Sequence, residues 1–381
     1  MWNLDEQQQQ LQDSARDFLA ERAPVAHLRA LRDAGDASTA LGHSPALWRE
    51  FADQGYAAML VADEHGGLGL GPLEAGVLAE QIGHTLTPTP WLSGAVLAAT
   101  LLQRAGTAAQ QADWLRRIAS AEARLALAID EAPRHRPDRV QTRATRSGDG
   151  WRLDGAKTLV VDGAGADGHL VSALADGALS LWLLPAGTPG LDVEALVQID
   201  AHGAARLTLD GVMLPDSARL SSAPDAAAAL DATLDLGRAV IAAELQGLAD
   251  EVFQRTLAYL KERKQFDRAI GEFQALQHRA AELHCDLELS RAIVTAALDA
   301  LATEATAPAL SAATARLVSQ AKARACLTAN RAVQEGVQMH GGIGMTDALD
   351  FGLFMARARV LQTWLGDAGF HLDRAARLSN Y

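Results

Sequence analysis

Apolar residues recur along the chain with two different periods, and the change of period divides it into three. Residues 6–21 and 73–82 carry good helix formers with few breakers, so the region up to about residue 125 reads as helical. Gly66-Gly67-Leu68-Gly69-Leu70-Gly71-Pro72 interrupts it as a loop. Thr87-Pro88-Thr89-Pro90 does so as an extended connector, because proline disfavours helix on its N-terminal side. Beyond residue 125 the apolar runs shorten: Trp151-Arg152-Leu153 and residues 158–161, 169–173 and 179–184 are separated by glycine, aspartate and proline. Short strands about ten residues apart predict a small β sandwich or barrel. Ser221-Ser222-Ala223-Pro224-Asp225 reads as a linker and helix start, after which Ile241, Leu245, Leu248, Val252, Thr256 and Leu260 form one stripe of a long helix. The expectation is an α+β protein with a helical domain over 1–125, a β domain over 126–221 and a helical bundle over 222–381.

With 381 residues, a rule of about 150 per domain also gives two or three domains. Hydrophobic residues at 49% and charged residues at 21% exclude disorder and a coiled-coil rod. The net charge of −13 repels phosphate backbones, so neither nucleic acid nor an anionic membrane surface is expected as a partner, and small molecules and proteins are the expected partners. No apolar stretch reaches the roughly 18 to 20 residues of a membrane span, so membrane insertion is not expected. The start, Met1-Trp2-Asn3-Leu4-Asp5-Glu6, lacks the basic and apolar regions of a secretory signal. Cys285 and Cys326 lie in helical segments without metal or disulfide spacing, so no metal is expected and a cytoplasmic setting fits.

There is no phosphate-binding loop, no strand followed by a dinucleotide GxGxxG turn and no His-Glu-x-x-His. Two other segments carry chemistry. Residues 262–274 gather Arg263, Lys264, Gln265, Phe266 and Gln274 at the end of the long helix, where cations, an aromatic ring and orphan backbone groups can hold a diphosphate and a flat ring. Gln338-Met339-His340-Gly341-Gly342-Ile343-Gly344 has three glycines in four positions, which allows close backbone approach to a ligand. Each segment alone also reads as a solvated turn between helices.

Taken with the α, β, α order, with Asp63-Glu64-His65-Gly66-Gly67-Leu68-Gly69 and with Gly155-Ala156-Lys157-Thr158, these segments make the chain resemble the acyl-CoA dehydrogenase family over its whole length. The resemblance implies an N-terminal helical domain, a β middle domain and a C-terminal four-helix bundle, with FAD where the β domain meets the bundle. It implies dimers or tetramers in which each flavin also touches a neighbouring subunit. Arg263, Gln265, Phe266 and Gln274 would contact flavin across that interface, and Gln338, Gly341 and Gly342 would line its adenosine end. The implied reaction converts an acyl-CoA to a 2-enoyl-CoA, a carboxylate taking the α proton and the flavin a hydride, with electrons passing to an electron-transfer flavoprotein.

The base is where the chain departs from its relatives. Counting from the double glycine, the family's glutamate position holds Leu365, and the alternative position on the long helix holds Gly237. Leucine and glycine cannot take a proton. The β domain also departs: Ile129-Asp130-Glu131-Ala132-Pro133-Arg134-His135 stands in place of a Thr-Glu-Pro-Gly-rich turn, and Leu159-Val160-Val161 in place of a Trp-x-Thr strand. Glu244 and Asp367 are candidate substitute bases. Against these stand a buried ion pair for Glu244, a helix cap or a pair with His371 for Asp367, and an N-cap role for Asp235. Three readings follow: an acyl-CoA desaturase using an unrecognised carboxylate; a non-catalytic or half-site subunit of a heteromeric acyl-CoA dehydrogenase for bulky or unusual acyl chains; and a structural relative without flavin.

Overall fold

The computed structural model describes residues 4–35, 40–222 and 225–381, so Met1-Trp2-Asn3 of the start and Ala223-Pro224 of the expected linker lie outside the described residues. Helices come first: α1 (Glu6–Arg22), α2 (Val25–Ala34), α3 (Pro45–Asp53) and α4 (Pro72–Thr85), then a wide π-type helix (Trp91–Ala98) running directly into α5 (Ala99–Ala105), and α6 (Ala108–Ala119). Three of these starts have a local cause in a capping side chain. Asp5 accepts from Gln8 N at 2.8 Å while the Gln8 side chain reaches back to Asp5 N, and Ser44 and Thr107 cap α3 and α6 through their own hydroxyls. Gln8, in the polar Gln7–Gln10 run, is thereby buried rather than solvated.

Eight strands follow: β1 (Leu125–Ala128), β2 (Arg143–Ser147), β3 (Gly150–Val161), β4 (Gly168–Ala175), β5 (Ala178–Pro185), β6 (Leu191–Val197), β7 (Gly203–Pro215) and β8 (Arg219–Ser222). They form one sheet in the order β6-β7-β3-β2-β4-β5-β8, with β1 parallel to β4. Trp151, Leu153, Val171, Trp182, Leu207 and Leu209 from four of these strands share one buried cluster, so the sheet curls around its own core. Trp151-Arg152-Leu153 and Thr158–Val161, separate in the sequence reading, belong to the single strand β3. Its pairing with β7 shifts register between Leu153 and Gly155 and again between Lys157 and Val160, which hides the two-residue period.

The last third is α7 (Asp225–Glu262), a hairpin of β9 (Lys264–Gln265) and β10 (Arg268–Ala269), then α8 (Gln274–Thr303), α9 (Ala312–His340), α10 (Phe351–Thr363) and α11 (Ala368–Leu378). The middle of α7 is buried on every side, from Thr233 to Ala249, because it packs on α4, α5, α8, α9 and α10 at once. One apolar core therefore runs from Leu78 and Leu97 through Leu245 and Leu248 to Phe354, and joins the N-terminal helices to the bundle. No helix among the described residues is long and apolar enough to cross a membrane.

Candidate functional site

The predicted cofactor residues gather at one end of the bundle and face outward. Arg263 N donates to Tyr259 O at 2.9 Å as α7 ends, and β9 and β10 pair around Phe266 and Asp267, both left-handed at φ 54° and 62°. Left-handed backbone at both central residues gives the twist a two-residue hairpin needs, but non-glycine residues adopt it at a cost. The turn holds Phe266 out, 87% exposed. Arg263, Gln265 and Gln274 are exposed beside it. Tyr259 stacks on His340 with ring centroids 4.2 Å apart, which brings the end of α9 and its glycines to the same place. Gly341 has φ 66° and ψ −145°, a conformation reserved for glycine. At Gly342 a Cβ would meet nothing within 4 Å, so nothing in this chain requires glycine there. Gln338, Gly341 and Gly342 are all exposed.

The seam between the β domain and the bundle is different. A Cβ on Gly237 would lie 2.5 Å from Leu97 Cδ2 and 2.9 Å from Leu365 Cδ1, so the two base positions touch each other through Leu365, and Leu97 closes the third side. The recess bounded by Ser93, Leu97, Leu127, Leu159, Trp364 and Leu365 measures about 10 Å³, room for about one water. A second recess of about 280 Å³ lies along the same seam between residues 133–136 and 363–370, and Gly237 and Leu97 do not line it.

Three buried basic side chains fix Leu365 in place. Its carbonyl accepts from Arg238 Nε at 3.3 Å and faces His371 Nε2 at 3.1 Å. Lys322 Nζ donates to Leu361 O at 2.9 Å and Gly366 O at 3.1 Å. Leu365 itself is left-handed at φ 57°, a conformation that survives only where its surroundings impose it. The sequence reading missed Arg238 and Lys322 and gave His371 another partner, Asp367; the signal for the first two is charge on helix faces that are otherwise apolar. Asp235 is not an N-cap. It lies ten residues inside α7, because the helix starts at Asp225, and its carboxylate accepts from Arg238 Nη1 and Arg374 Nη1, each at 2.8 Å.

The loop 129–136 spends its polar groups internally. Asp130 Oδ2 meets His135 Nδ1 at 2.8 Å, and Glu131 accepts from buried Lys157 Nζ at 2.6 Å and from Thr142 N at 3.0 Å. Glu244 is fully buried behind α10 and accepts from Arg357 Nε at 2.8 Å, while Arg357 Nη1 donates to Asp200 Oδ2 at 2.9 Å. Burial pushes the Glu244 carboxyl up and Arg357 pulls it back. Asp367 caps α11 by accepting from Phe370 N at 2.8 Å. His371 turns its ring to Leu365 O and Ser319 Oγ.

Asp162, at the end of β3, is a buried acid not singled out from sequence. Ser93 Oγ donates to its Oδ2 at 2.6 Å, its Oδ1 has no hydrogen-bond partner among the described residues, and burial pushes its pKa up to about 7 against the pull of Ser93 and Arg357. The unfolded chain releases this proton near its ordinary 3.8 while the fold retains it to about 7. Stability contributed here is therefore whole below about pH 4, falls as pH rises, and is lost above about 7, by at most ~4 kcal/mol. Asp162→Asn is expected to flatten that slope in denaturant unfolding between pH 5 and pH 8. Equal slopes in both proteins would reject the assignment.

Comparison with known proteins places this geometry. Residues 5–122 match the acyl-CoA dehydrogenase N-terminal domain and residues 227–379 the acyl-CoA dehydrogenase C-terminal domain. Acyl-CoA dehydrogenase FadE27 of Mycobacterium tuberculosis is 31% identical over 87% of this chain and 87% of its own. The chain belongs to the acyl-CoA dehydrogenase family. Acyl-CoA dehydrogenase IpdE2 of the same organism is 32% identical, covering 93% of this chain and 91% of its own. Among solved structures, a variant of the Tcur3481-Tcur3483 steroid ACAD superposes with TM-score 0.86 at 31% identity, over 98% of both chains. The ChsE4-ChsE5 complex from Mycobacterium tuberculosis superposes with TM-score 0.88 at 28% identity, over 99% of this chain and 98% of that one.

The cofactor of this acyl-CoA dehydrogenase family is FAD. Its three-ring isoalloxazine is far larger than the 10 Å³ recess between Leu159 and Leu365. The exposed Arg263, Phe266 and glycine turn, by contrast, have the chemistry to meet a diphosphate and a flat ring.

Proposed function

We propose that this acyl-CoA dehydrogenase is the non-catalytic, half-site subunit of a heteromeric FAD-dependent enzyme. A related chain seats the flavin and supplies the base, and this chain lends Arg263, Gln265, Phe266, Gln274, Gln338, Gly341 and Gly342 to that flavin from outside. The observation that carries the reading is Leu365 packed on Gly237 and Leu97: it occupies both base positions with hydrocarbon and closes the chamber between them. When bound by the partner, FAD accepts the hydride of an α,β-desaturation, and electrons leave to an electron-transfer flavoprotein. This chain's share is binding: a guanidinium for the diphosphate, a ring edge and a side-chain-free turn. The similar steroid ACAD and the ChsE4-ChsE5 complex support a two-chain assembly and a bulky acyl thioester, of steroid type, as its substrate.

Glu244 and Asp367 are not bases in this reading, since an ion pair and a helix cap occupy them. The test is flavin content. The chain purified alone is expected to be colourless, and co-expression with a related base-bearing chain is expected to give one flavin per pair. That flavin should bleach anaerobically with a steroid-side-chain acyl-CoA. A yellow protein from this chain alone, bleached by an acyl-CoA, would overturn the proposal in favour of independent desaturation.

A further inference from the structure

Away from the seam, a cleft of about 560 Å³ opens where the C-terminal end of α5 meets the first turns of α7, a size usual for small-molecule sites. Ala229 and Ala232 form its floor, and Leu236 and Leu301 its apolar walls. Alanine at two successive turns of α7 leaves room that larger side chains would fill. The opposite side, from α5, presents Thr100 and Arg104.

Arg104 is the informative residue. Its Nη1 donates to Ala307 O and its Nη2 to Ala305 O, both at 2.9 Å. Those bonds fix the guanidinium against the loop between α8 and α9 without neutralising it. A guanidinium has five N–H donors, so donors remain after both carbonyls are served. Burial lowers its pKa, and no charged neighbour among the described residues opposes that shift. Glu304, on the same loop, is committed to Ser311 and Thr314, and Asp225 lines the cleft as an exposed residue. An apolar trough beside a held, uncompensated cation is complementary to one kind of molecule.

We propose that this cleft binds an elongated apolar carboxylate, with its chain along Ala229, Ala232 and Leu236 and its carboxylate on the free N–H groups of Arg104. The closed packing of Leu97, Gly237 and Leu365 separates the cleft from the seam, so binding requires neither flavin nor a thioester. It is independent of the half-site reading.

Calorimetric titration of the full chain with decanoate tests this, with decan-1-ol as the tail alone and propionate as the head alone. Decanoate is expected to bind at one site, and both controls at least tenfold more weakly. Arg104→Met is expected to weaken decanoate at least tenfold, with Arg104→Lys keeping part of the affinity. Ala232→Phe is expected to abolish binding. Ala228→Phe, at the half-buried edge of the cleft, repeats that test at a position where a larger side chain does not load the core. Equal binding of decanoate and decan-1-ol, wild-type affinity in the folded Ala228→Phe protein, or no decanoate binding would each overturn the assignment.

Discussion

Arg357→Met is expected to destabilise the protein by about 3–5 kcal/mol, the usual cost of removing one partner from a buried ion pair. Arg357 is buried between two carboxylates, Glu244 of α7 and Asp200 of the loop between β6 and β7. Burial alone would lower its pKa, but Glu244 and Asp200 outweigh that and raise it. His202, beside Asp200, is pushed down to about 4 by burial and by Arg357, so in the wild-type protein at neutral pH Arg357 is the cation that faces the two carboxylates. Methionine fills similar volume but leaves two acids uncompensated where water does not reach. The triple variant Arg357→Met, Glu244→Gln, Asp200→Asn is expected to recover much of the loss, because an apolar or neutral replacement of a whole buried pair is often tolerated. Denaturant unfolding of both proteins measures it, and a single-variant cost under about 1 kcal/mol would reject the network as a stabilising unit. The same network separates a structural from a catalytic Glu244: a base must reach substrate, whereas this carboxylate ties the bundle to the β domain.

The parts legible in the sequence are those whose signal is local. The stripe from Ile241 to Leu260 gives α7 because burial on a helix repeats every three to four residues, and the change to short runs after residue 125 marks the sheet. Two misplacements have the same origin. β3 reads as two strands because bulges at Gly155 and beyond Lys157 break its alternation, and Asp235 reads as a cap because acidic residues favour helix starts, whereas here Arg238 and Arg374 hold it inside one. That Leu365 and Gly237 stand at the family's base positions was read from the resemblance, the first by counting from the glycine turn. Why no base stands there was not legible, since the clamp on Leu365 comes from Arg238, Lys322 and His371 on three helices, and no local pattern records that meeting. Composition alone also left the segments around Arg263 and Gly342 as solvated turns. A single chain leaves them exposed in just that manner, and only the resemblance assigned them a ligand in another subunit.

That assignment gives the other large effect. In the mixed assembly, Arg263→Ala with Phe266→Ala is expected to lower flavin affinity at least about 30-fold. Each loses a contact worth roughly 1–3 kcal/mol, the guanidinium through charge-assisted bonds and the ring through buried apolar area. The fold should not notice. Both side chains are exposed, the hairpin backbone is held by the β9–β10 pairing and by Ile270 N donating to Arg263 O at 2.8 Å, and surface substitutions of this kind usually change stability by less than about 0.5 kcal/mol. Phe266→Ala also removes a ring from a left-handed position that phenylalanine adopts only at a cost, so a protein that used the ring for nothing would be no worse without it. Loss of flavin at unchanged stability and unchanged subunit pairing is therefore the signature of a contact made outside this chain. Flavin absorbance per assembled pair, with the denaturation midpoint of the isolated chain as control, separates the outcomes. Full flavin retention in the double variant would mean that the hairpin faces solvent in the assembly as well, and would remove this chain from the partner's site.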